Sequence, residues 1–275
     1  MKKLRIANSN YLNSVAFSLA SSNEAYDYSE CAPSAAAAKL LGREVDVALV
    51  PTAEFLRSPE LHALPFGIIA HGEVKSVVLL SRCPLKMIDK IYIDEASRTS
   101  VVLLRLLLEK LYPGKFGEDC FVTDKPKNFI GKITDHSAAL IIGDYALYAR
   151  KLFPYVHDLG EMWFALTSLP FPFAIWAITR SSIEQHSASL PALFKIFTDG
   201  THQLETLGSS WVGHHSFSVE ETIDYLHNIR YAMDRPAFEA LDYFATAAAD
   251  LGLIPKAENS ERWQILSPSQ QSGHE

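Results

Sequence analysis

Cysteine is scarce in this sequence, and the common motifs for metals and nucleotides are missing. The three cysteines, Cys31, Cys83 and Cys120, lie far apart without a CxxC pair, which is typical of reduced thiols rather than of a disulfide framework or a structural zinc site. The histidines form no HExxH, and the pair His214–His215 has no carboxylate at metal-binding spacing. Neither GxGxxG nor GxxxxGK[ST] occurs. We therefore expect no metal and no cofactor.

The chain also lacks an excess of basic residues. Its net charge is −7, with no basic stripe, which argues against a nucleic-acid surface and against a polybasic membrane anchor. Asn8, Ser9 and Asn10 interrupt the segment after the two N-terminal lysines, so no apolar signal core follows them. We expect a cytoplasmic protein that binds neither nucleic acid nor membrane, and the sequence leaves its oligomeric state open.

The chain contains enough hydrophobic residues to form a full core. Hydrophobic residues make up 48% of the 275 residues and charged residues 21%. This composition is typical of a soluble globular protein, and the length favours two domains of ordinary size.

The stretch Ile91–Gly114 combines a short strand, a polar turn and an amphipathic helix. Ser97 or Thr99 is a good N-cap for that helix. The turn brings backbone N–H groups, the hydroxyls of Ser97, Thr99 and Ser100 and the guanidinium of Arg98 towards one point, which outlines an anion site. The alternative is an ordinary capped helix with a solvated arginine.

The same strand-turn-helix junction recurs, which favours the anion site. Strands followed directly by helices predict βαβ units, a mostly parallel sheet and ligands at the carboxyl ends of the strands. The four junctions follow the predicted strands Leu4–Ala7, Val45–Val50, Ile91–Ile93 and Ala138–Ile142.

Two further apolar runs, Val74–Ser81 and Phe173–Thr179, have the composition of paired crossover strands between two domains. His71 and Gly72 are predicted as a turn that joins Phe66–Ala70 to the first of these runs. The resulting boundaries are residues 1–82 plus 176–275 for one lobe and 83–175 for the other. Each lobe then contributes two helix N-termini to one cleft, which suits a small carboxylate or dicarboxylate.

The C-terminal third is predicted to be helical, followed by a polar tail. A capping box is expected from Ser218 and Glu221. The predicted helical segments are Ala188–Gly208, Val219–Arg230 and Pro236–Leu251, and the tail runs over Glu258–Glu275.

Eight short motifs follow one another along the chain: NYLN (residues 10–13), VDVALVP (45–51), VKSVVLLS (74–81), DEASRTS (94–100), IIGDYAL (141–147), DLGEMW (158–163), LPFPFAIW (169–176) and LGLIP (251–255). Together they resemble the chorismate dehydratases of the futalosine route to menaquinone. The resemblance implies a two-lobed α/β fold similar to the type II periplasmic binding proteins, with mixed or parallel sheets and two crossover strands. It also implies a dehydration of chorismate to 3-[(1-carboxyvinyl)oxy]benzoate without a cofactor.

Two positions depart from this family's pattern. Ala16 stands where many relatives carry proline, and Ser168 stands where a glycine commonly precedes LPF. We expect these departures to affect local loop geometry and substrate fit rather than the fold.

The candidate catalytic residues are Asn13 and Ser76. Asn13 is either a helix cap or a donor to the substrate, and Ser76 either lines the hinge or faces solvent. The candidate substrate-binding residues are Tyr11, Thr52, Ser97, Arg98, Thr99, Ser100, Gly143 and Asp144.

A protein base is not evident, since no Glu–Asp or His–Asp pair stands at the junctions. Asp144 is the one carboxylate there, and it is either an N-cap or a base; alternatively, a substrate carboxylate takes the proton. Chorismate dehydratase is the favoured function. The alternatives are 1,4-dihydroxy-6-naphthoate synthase of the same pathway and a non-catalytic protein that binds small carboxylates.

Overall fold

Strands and helices alternate along most of the chain, and the strands assemble into separate sheets. The computed structural model describes residues 3–94, 96–211 and 217–256; His214, His215 and the predicted tail Glu258–Glu275 lie outside these ranges. The strands within them are β1 (Leu4–Ser9), β2 (Tyr26–Cys31), β3 (Val47–Pro51), β4 (Leu61–Ala70), β5 (Val77–Ser81), β6 (Lys90–Ile93), β7 (Phe121–Thr123), β8 (Ser137–Ile142), β9 (Tyr155–Asp158), β10 (Phe171–Thr179) and β11 (Ile229–Ala232).

Helices pack against these strands. In the described ranges no helix is both long enough and apolar enough to cross a membrane. The α-helices are α1 (Pro33–Leu41), α2 (Thr52–Arg57), α3 (Arg98–Leu111), α4 (Phe129–Lys132), α5 (Asp144–Ala149), α6 (Leu159–Thr167), α7 (Arg180–His186), α8 (Leu190–Thr201), α9 (Leu204–Trp211), α10 (Val219–His227) and α11 (Arg235–Asp250). A long 3-10 helix spans Leu12–Ser22, and shorter ones span Leu85–Met87, Glu118–Cys120, Pro126–Asn128, Arg150–Leu152 and Ser187–Ser189.

Both sheets are mixed. Over the described residues the strand order is β11-β4-β10-β3-β1-β2 in the first sheet and β7-β6-β8-β5-β9 in the second. β1 is parallel to β2 and β3, and β6 is parallel to β7 and β8. β10 is antiparallel to β3 and β4, and β5 is antiparallel to β8 and β9. The predicted α/β class with mixed sheets is confirmed, and the parallel pairs align the carboxyl ends that precede the junctions.

The pairing of the crossover strands differs from the prediction. The sequence predicts Val74–Ser81 as the partner of Phe173–Thr179, but β10 pairs with β4, and β5 lies in the second sheet. His71 and Gly72 therefore lead from one sheet to the other and do not close a hairpin. Composition does not distinguish these partners, because β4, β5 and β10 are all largely buried apolar runs.

The chain changes sheet between Ala70 and Val77 and returns between Asp158 and Phe171. The domain boundaries at residues 82/83 and 175/176 stay a prediction.

Helix capping follows the sequence at some ends and departs from it at others. The capping box of Ser218 and Glu221 is confirmed, with both reciprocal bonds present. Ser97 occupies the N-cap position of α3, but its side chain makes no capping bond there. The hydroxyl that anchors this turn to its surroundings is that of Thr99, described below.

Aromatic packing fastens α8 to the first sheet. The ring centroids of Phe17, Trp176 and Phe197 lie 4.6 to 5.3 Å apart, and all three side chains are fully buried. Gly200 on α8 approaches the 3-10 helix closely, since a Cβ atom there would stand 1.7 Å from the carbonyl oxygen of Ala16. One of the two departures from the family pattern therefore lies in this contact.

Ser168 ends α6 in the left-handed conformation, with φ 58° and ψ 15°. An L-residue is strained there and glycine is not. We expect Ser168→Gly to raise the free energy of unfolding by about 0.5–1 kcal/mol, measured by urea denaturation. The control is Ser209→Gly, which places glycine inside the right-handed helix α9 and should lower stability. Equal loss in both variants would contradict the expectation.

Candidate functional site

A cleft of about 600 Å³, partly open to solvent, lies where strand ends from both sheets meet. The four predicted junctions supply its walls, β1 and β3 from one sheet and β6 and β8 from the other. Its polar lining comprises Ser9, Tyr11, Asn13, Ser76, Ser97, Arg98, Thr99, Ser100 and the backbone at Gly143, and its apolar lining includes Leu49, Pro51, Ile68, Val77, Ile142 and Phe173.

The polar part of the lining consists of neutral donors and one guanidinium. Among the described residues that line the cleft there is no Asp, Glu, His, Lys or Cys, and the one ionised side chain is the guanidinium of Arg98. Hydroxyls, an amide and a guanidinium together can satisfy an anionic oxygen at several points. The cleft therefore suits a small, oxygen-rich anion with an apolar body.

Ser76 is held by a strained turn at the start of β5. Lys75 has φ 63°, and its N–H and that of Val74 donate to the buried carboxylate of Asp158 at 2.7 and 2.9 Å. Burial raises the pKa of Asp158, although these backbone N–H groups favour its ionised form. The Ser76 carbonyl accepts from Gly143 N–H at 2.8 Å, so this turn also fixes the β8–α5 junction.

Tyr225 of α10 joins the two candidate catalytic side chains. Its hydroxyl donates to Ser76 Oγ at 2.8 Å, and the Asn13 side chain also hydrogen-bonds this hydroxyl. Burial raises the pKa of Tyr225 well above its usual range, against the opposing effect of both hydrogen bonds, so the phenol stays protonated. Asn13 and Ser76 thus face each other across one buried hydroxyl.

Gly143 is required at the β8–α5 junction. Its φ is 69°, and a Cβ there would stand 2.9 Å from the ring of Tyr11. The Tyr11 ring can lie this close to the backbone only because no side chain intervenes. Burial, with the nearby charge of Asp144, raises the pKa of the Tyr11 phenol.

Two side chains from helices that follow strands of the second sheet cap helices that follow strands of the first. The Asp144 carboxylate accepts from Leu12 N–H at 3.1 and 3.3 Å. Thr99 Oγ1 accepts from Ala53 N–H, at the first turn of α2, at 3.1 Å. Asp144 is therefore a cap, as one of its two predicted roles requires, but it caps a helix across the cleft rather than its own.

Arg98 lies at the rim. Its side chain is 48% exposed, and its Nε is 3.8 Å from a carboxylate oxygen of Glu54, which also pairs with Arg57 at 3.0 Å. The guanidinium is therefore only loosely engaged, and it remains able to turn towards an anion in the cleft.

Thr52 lies behind the wall of the cleft. It is completely buried, and its hydroxyl donates to the carbonyl oxygen of Pro172 at 2.5 Å. It is not among the lining residues, and its geometry ties α2 to β10. Its predicted contact with substrate has no support in this arrangement.

No described group of three or more His, Cys, Asp or Glu side chains converges in a way that could hold a metal ion. The ionisable cluster of Arg5, Asp46 and His186 is built otherwise, with the guanidinium 2.7 Å from the Asp46 carboxylate and His186 Nε2 3.6 Å from it. Burial disfavours the charged carboxylate, but the hydrogen bonds from Arg5 outweigh it and lower the pKa of Asp46. This cluster lies outside the cleft lining, and its Arg5–Asp46 pair joins β1 to the residue before β3.

Comparison with known proteins decides the family. Residues 4–250 match a family model described as menaquinone biosynthesis. The chain belongs to this menaquinone biosynthesis family. A curated relative, the chorismate dehydratase of Thermus thermophilus, is 29% identical over 230 residues, which cover 76% of this chain and 81% of the relative.

Solved structures agree on the fold. A protein from Archaeoglobus fulgidus superposes with a TM-score of 0.74 at 19% identity, over 92% of this chain and 98% of the other. The periplasmic aliphatic sulphonate binding protein of Escherichia coli superposes with a TM-score of 0.67 at 17% identity, over 97% of this chain and 99% of the other. The predicted periplasmic-binding-protein-like fold is confirmed.

Within this family framework, the structure brings most of the predicted site residues together. Asn13, Ser76, Tyr11, Gly143 and the Ser97–Ser100 turn line the cleft, whereas Thr52 and Asp144 support it from behind. Their roles towards a ligand stay predictions.

Two residues that support the site, Asp158 and Tyr225, are not predicted from the sequence. Asp158 carries a recognisable signal, since it is the last residue of β9 and the N-cap of α6. Tyr225 carries none beyond its place on the buried face of α10.

Proposed function

We propose that this protein is a chorismate dehydratase, a carbon-oxygen lyase that removes water from chorismate to form 3-[(1-carboxyvinyl)oxy]benzoate. The observation that carries the proposal is the cleft itself, where neutral donors at the strand ends and at Ser76 line an otherwise apolar space. The named relative and the family's pathway support the same reaction.

The charge of the substrate fits the donors of the cleft. Chorismate carries two carboxylates, and the Ser97–Ser100 turn offers hydroxyls, the backbone N–H groups of a helix start and the guanidinium of Arg98. Fixed donors of this kind orient an anion and offset its charge. The apolar lining at Ile68, Val77 and Phe173 suits the six-membered ring.

The reaction needs little from the protein beyond orientation and one proton transfer. The C3–H bond breaks, its electron pair forms the new ring double bond, and the C4–O bond breaks with release of hydroxide, which takes a proton to become water. Aromatisation of the ring supplies the driving force. Because no described carboxylate or imidazole lines the cleft, we assign the proton acceptor to a carboxylate of the substrate, with Asn13 and Ser76 orienting the reacting atoms.

Two other functions make different demands. A 1,4-dihydroxy-6-naphthoate synthase of the same pathway would leave chorismate unchanged. A carboxylate-binding protein would bind chorismate without converting it. Only the fold of the sulphonate-binding neighbour supports this alternative.

Incubation with chorismate as the only added compound separates these functions. We expect the chelator-treated protein to consume chorismate, followed by ultraviolet absorbance, and to form a product lighter by one water, identified by mass spectrometry. A sample without protein, at the same pH and temperature, corrects for spontaneous decay. Binding without turnover by the folded protein would contradict the proposal.

A further inference from the structure

Tyr225 contacts the cleft lining from a part of the chain that itself supplies none of the described lining residues. It lies on α10, 149 positions after Ser76, and it is fully buried. Its hydroxyl nevertheless contacts both candidate catalytic residues. Such a placement requires that α10 be held firmly against the Ser76 turn.

Polar contacts on either side of Tyr225 hold α10 in this position. The Asn228 side chain donates to the carbonyl oxygen of Glu73, and Asp224 forms an ion pair with Lys75. Both partners belong to the segment that connects the two sheets and carries Ser76. The phenol is therefore fixed relative to the turn rather than free to rotate away.

The single proton of the phenol gives this contact a direction. A tyrosine hydroxyl donates one hydrogen bond, and here it goes to Ser76 Oγ. The Asn13 contact must then be an amide N–H that donates to the phenol oxygen. With its oxygen already accepting from Tyr225, the Ser76 hydroxyl keeps its own proton for an acceptor in the cleft.

We propose that Tyr225 is a positioning residue that aims the Ser76 hydroxyl proton into the cleft and fixes the Asn13 amide beside it. This inference rests on the proposed function, since it assigns the effect to the step in which chorismate reacts. Hydrogen bonds arranged in a chain polarise one another, so the donation from Tyr225 also strengthens the bond that Ser76 gives to the substrate.

A double-mutant cycle tests whether Tyr225 acts through Ser76. Tyr225→Phe removes only the hydroxyl and should lower kcat/KM on chorismate by about tenfold. In a Ser76→Ala background the same change should cost almost nothing, because the hydroxyl to be aimed is gone. Equal fold-losses in both backgrounds would show a general packing role and overturn the proposal.

Tyr231 provides a matched control. Its hydroxyl is also buried, in the same region of the protein, and has no hydrogen-bond partner among the described residues. Tyr231→Phe should leave kcat/KM unchanged. A loss as large as that of Tyr225→Phe would mean that any buried hydroxyl here matters, which also overturns the proposal.

Two further measurements distinguish failure of this proposal from failure of the proposed function or of a variant to fold. If the parent protein binds chorismate without turnover, the proposed function fails, and the same cycle is measured on the chorismate dissociation constant by calorimetry. If Tyr225→Phe does not fold, the Tyr225 hydroxyl resonance is followed by NMR in otherwise intact protein. It should shift on Ser76→Ala while that of Tyr231 does not, and an unmoved Tyr225 resonance would overturn the contact.

Discussion

Asn13→Asp should reduce kcat/KM on chorismate by about 100-fold or more while the protein stays folded. The exchange preserves shape but removes the N–H that Tyr225 accepts, and it places a negative charge in a cleft proposed to bind a dianion. A carboxylate held close to a like charge opposes binding and reaction. Turnover is measured by the ultraviolet assay, and folding by circular dichroism.

Asn23→Asp is the control for this exchange. Asn23 ends the same 3-10 helix, away from the cleft, and its side-chain oxygen accepts from Ala25 N–H at 2.9 Å, a bond that aspartate retains. We expect parental activity. Parental activity of Asn13→Asp as well would show that Asn13 does not face the substrate.

Gly200→Ala should destabilise the protein by about 3 kcal/mol or more. The added methyl group would overlap the carbonyl oxygen of Ala16, and a backbone atom in a helix cannot move aside as the end of a flexible side chain can. The 3-10 helix would have to shift, disturbing the packing of Phe17 on Phe197. The midpoint of urea unfolding measures the loss.

Gly131→Ala tests the same substitution without the contact. Gly131 lies in α4, and a Cβ there meets nothing within 4 Å. We expect stability to be unchanged or slightly higher, because alanine favours the helix. If both variants unfolded at the parental midpoint, the close approach of α8 to the 3-10 helix would be wrong.

The four junctions are predictable from sequence because each has two independent local signals. A short apolar run predicts a buried strand, and the polar residues after it predict a turn and a helix start. These signals place β1, β3, β6 and β8 correctly, and with them most of the cleft lining. Parallel neighbours then bring the strand ends together without further information.

Strand pairing and edge strands lack such signals. β2 has a polar sequence and is mostly partly exposed, and β11 has only four residues. Both have a weak intrinsic preference for the strand conformation, and pairing within the sheet stabilises them. Which apolar strand pairs with β10 depends on where the connecting segments allow each strand to lie. That choice is made by tertiary packing, as the pairing with β4 shows.

In the site too, residues with a local sequence signal are predicted, and residues whose role depends on tertiary contacts are not. The Ser97–Ser100 turn and Asn13 are found because their residue types match helix starts. Thr52 matches equally well, yet its hydroxyl is used by Pro172. Tyr225 is missed because its role arises from contacts across the fold, and a buried tyrosine on an amphipathic helix is ordinary in sequence. The cytoplasmic location stays a prediction.

The two capping hydrogen bonds that cross the cleft also provide a way to measure motion between the two sheets. The amide protons of Leu12 and Ala53 are held by Asp144 and Thr99, and separation of the sheets breaks both bonds at once. Amides that lose their acceptors in an opening exchange with solvent deuterium at a rate set by that opening. The exchange of these two amides therefore reports the opening of the cleft in the absence of any ligand.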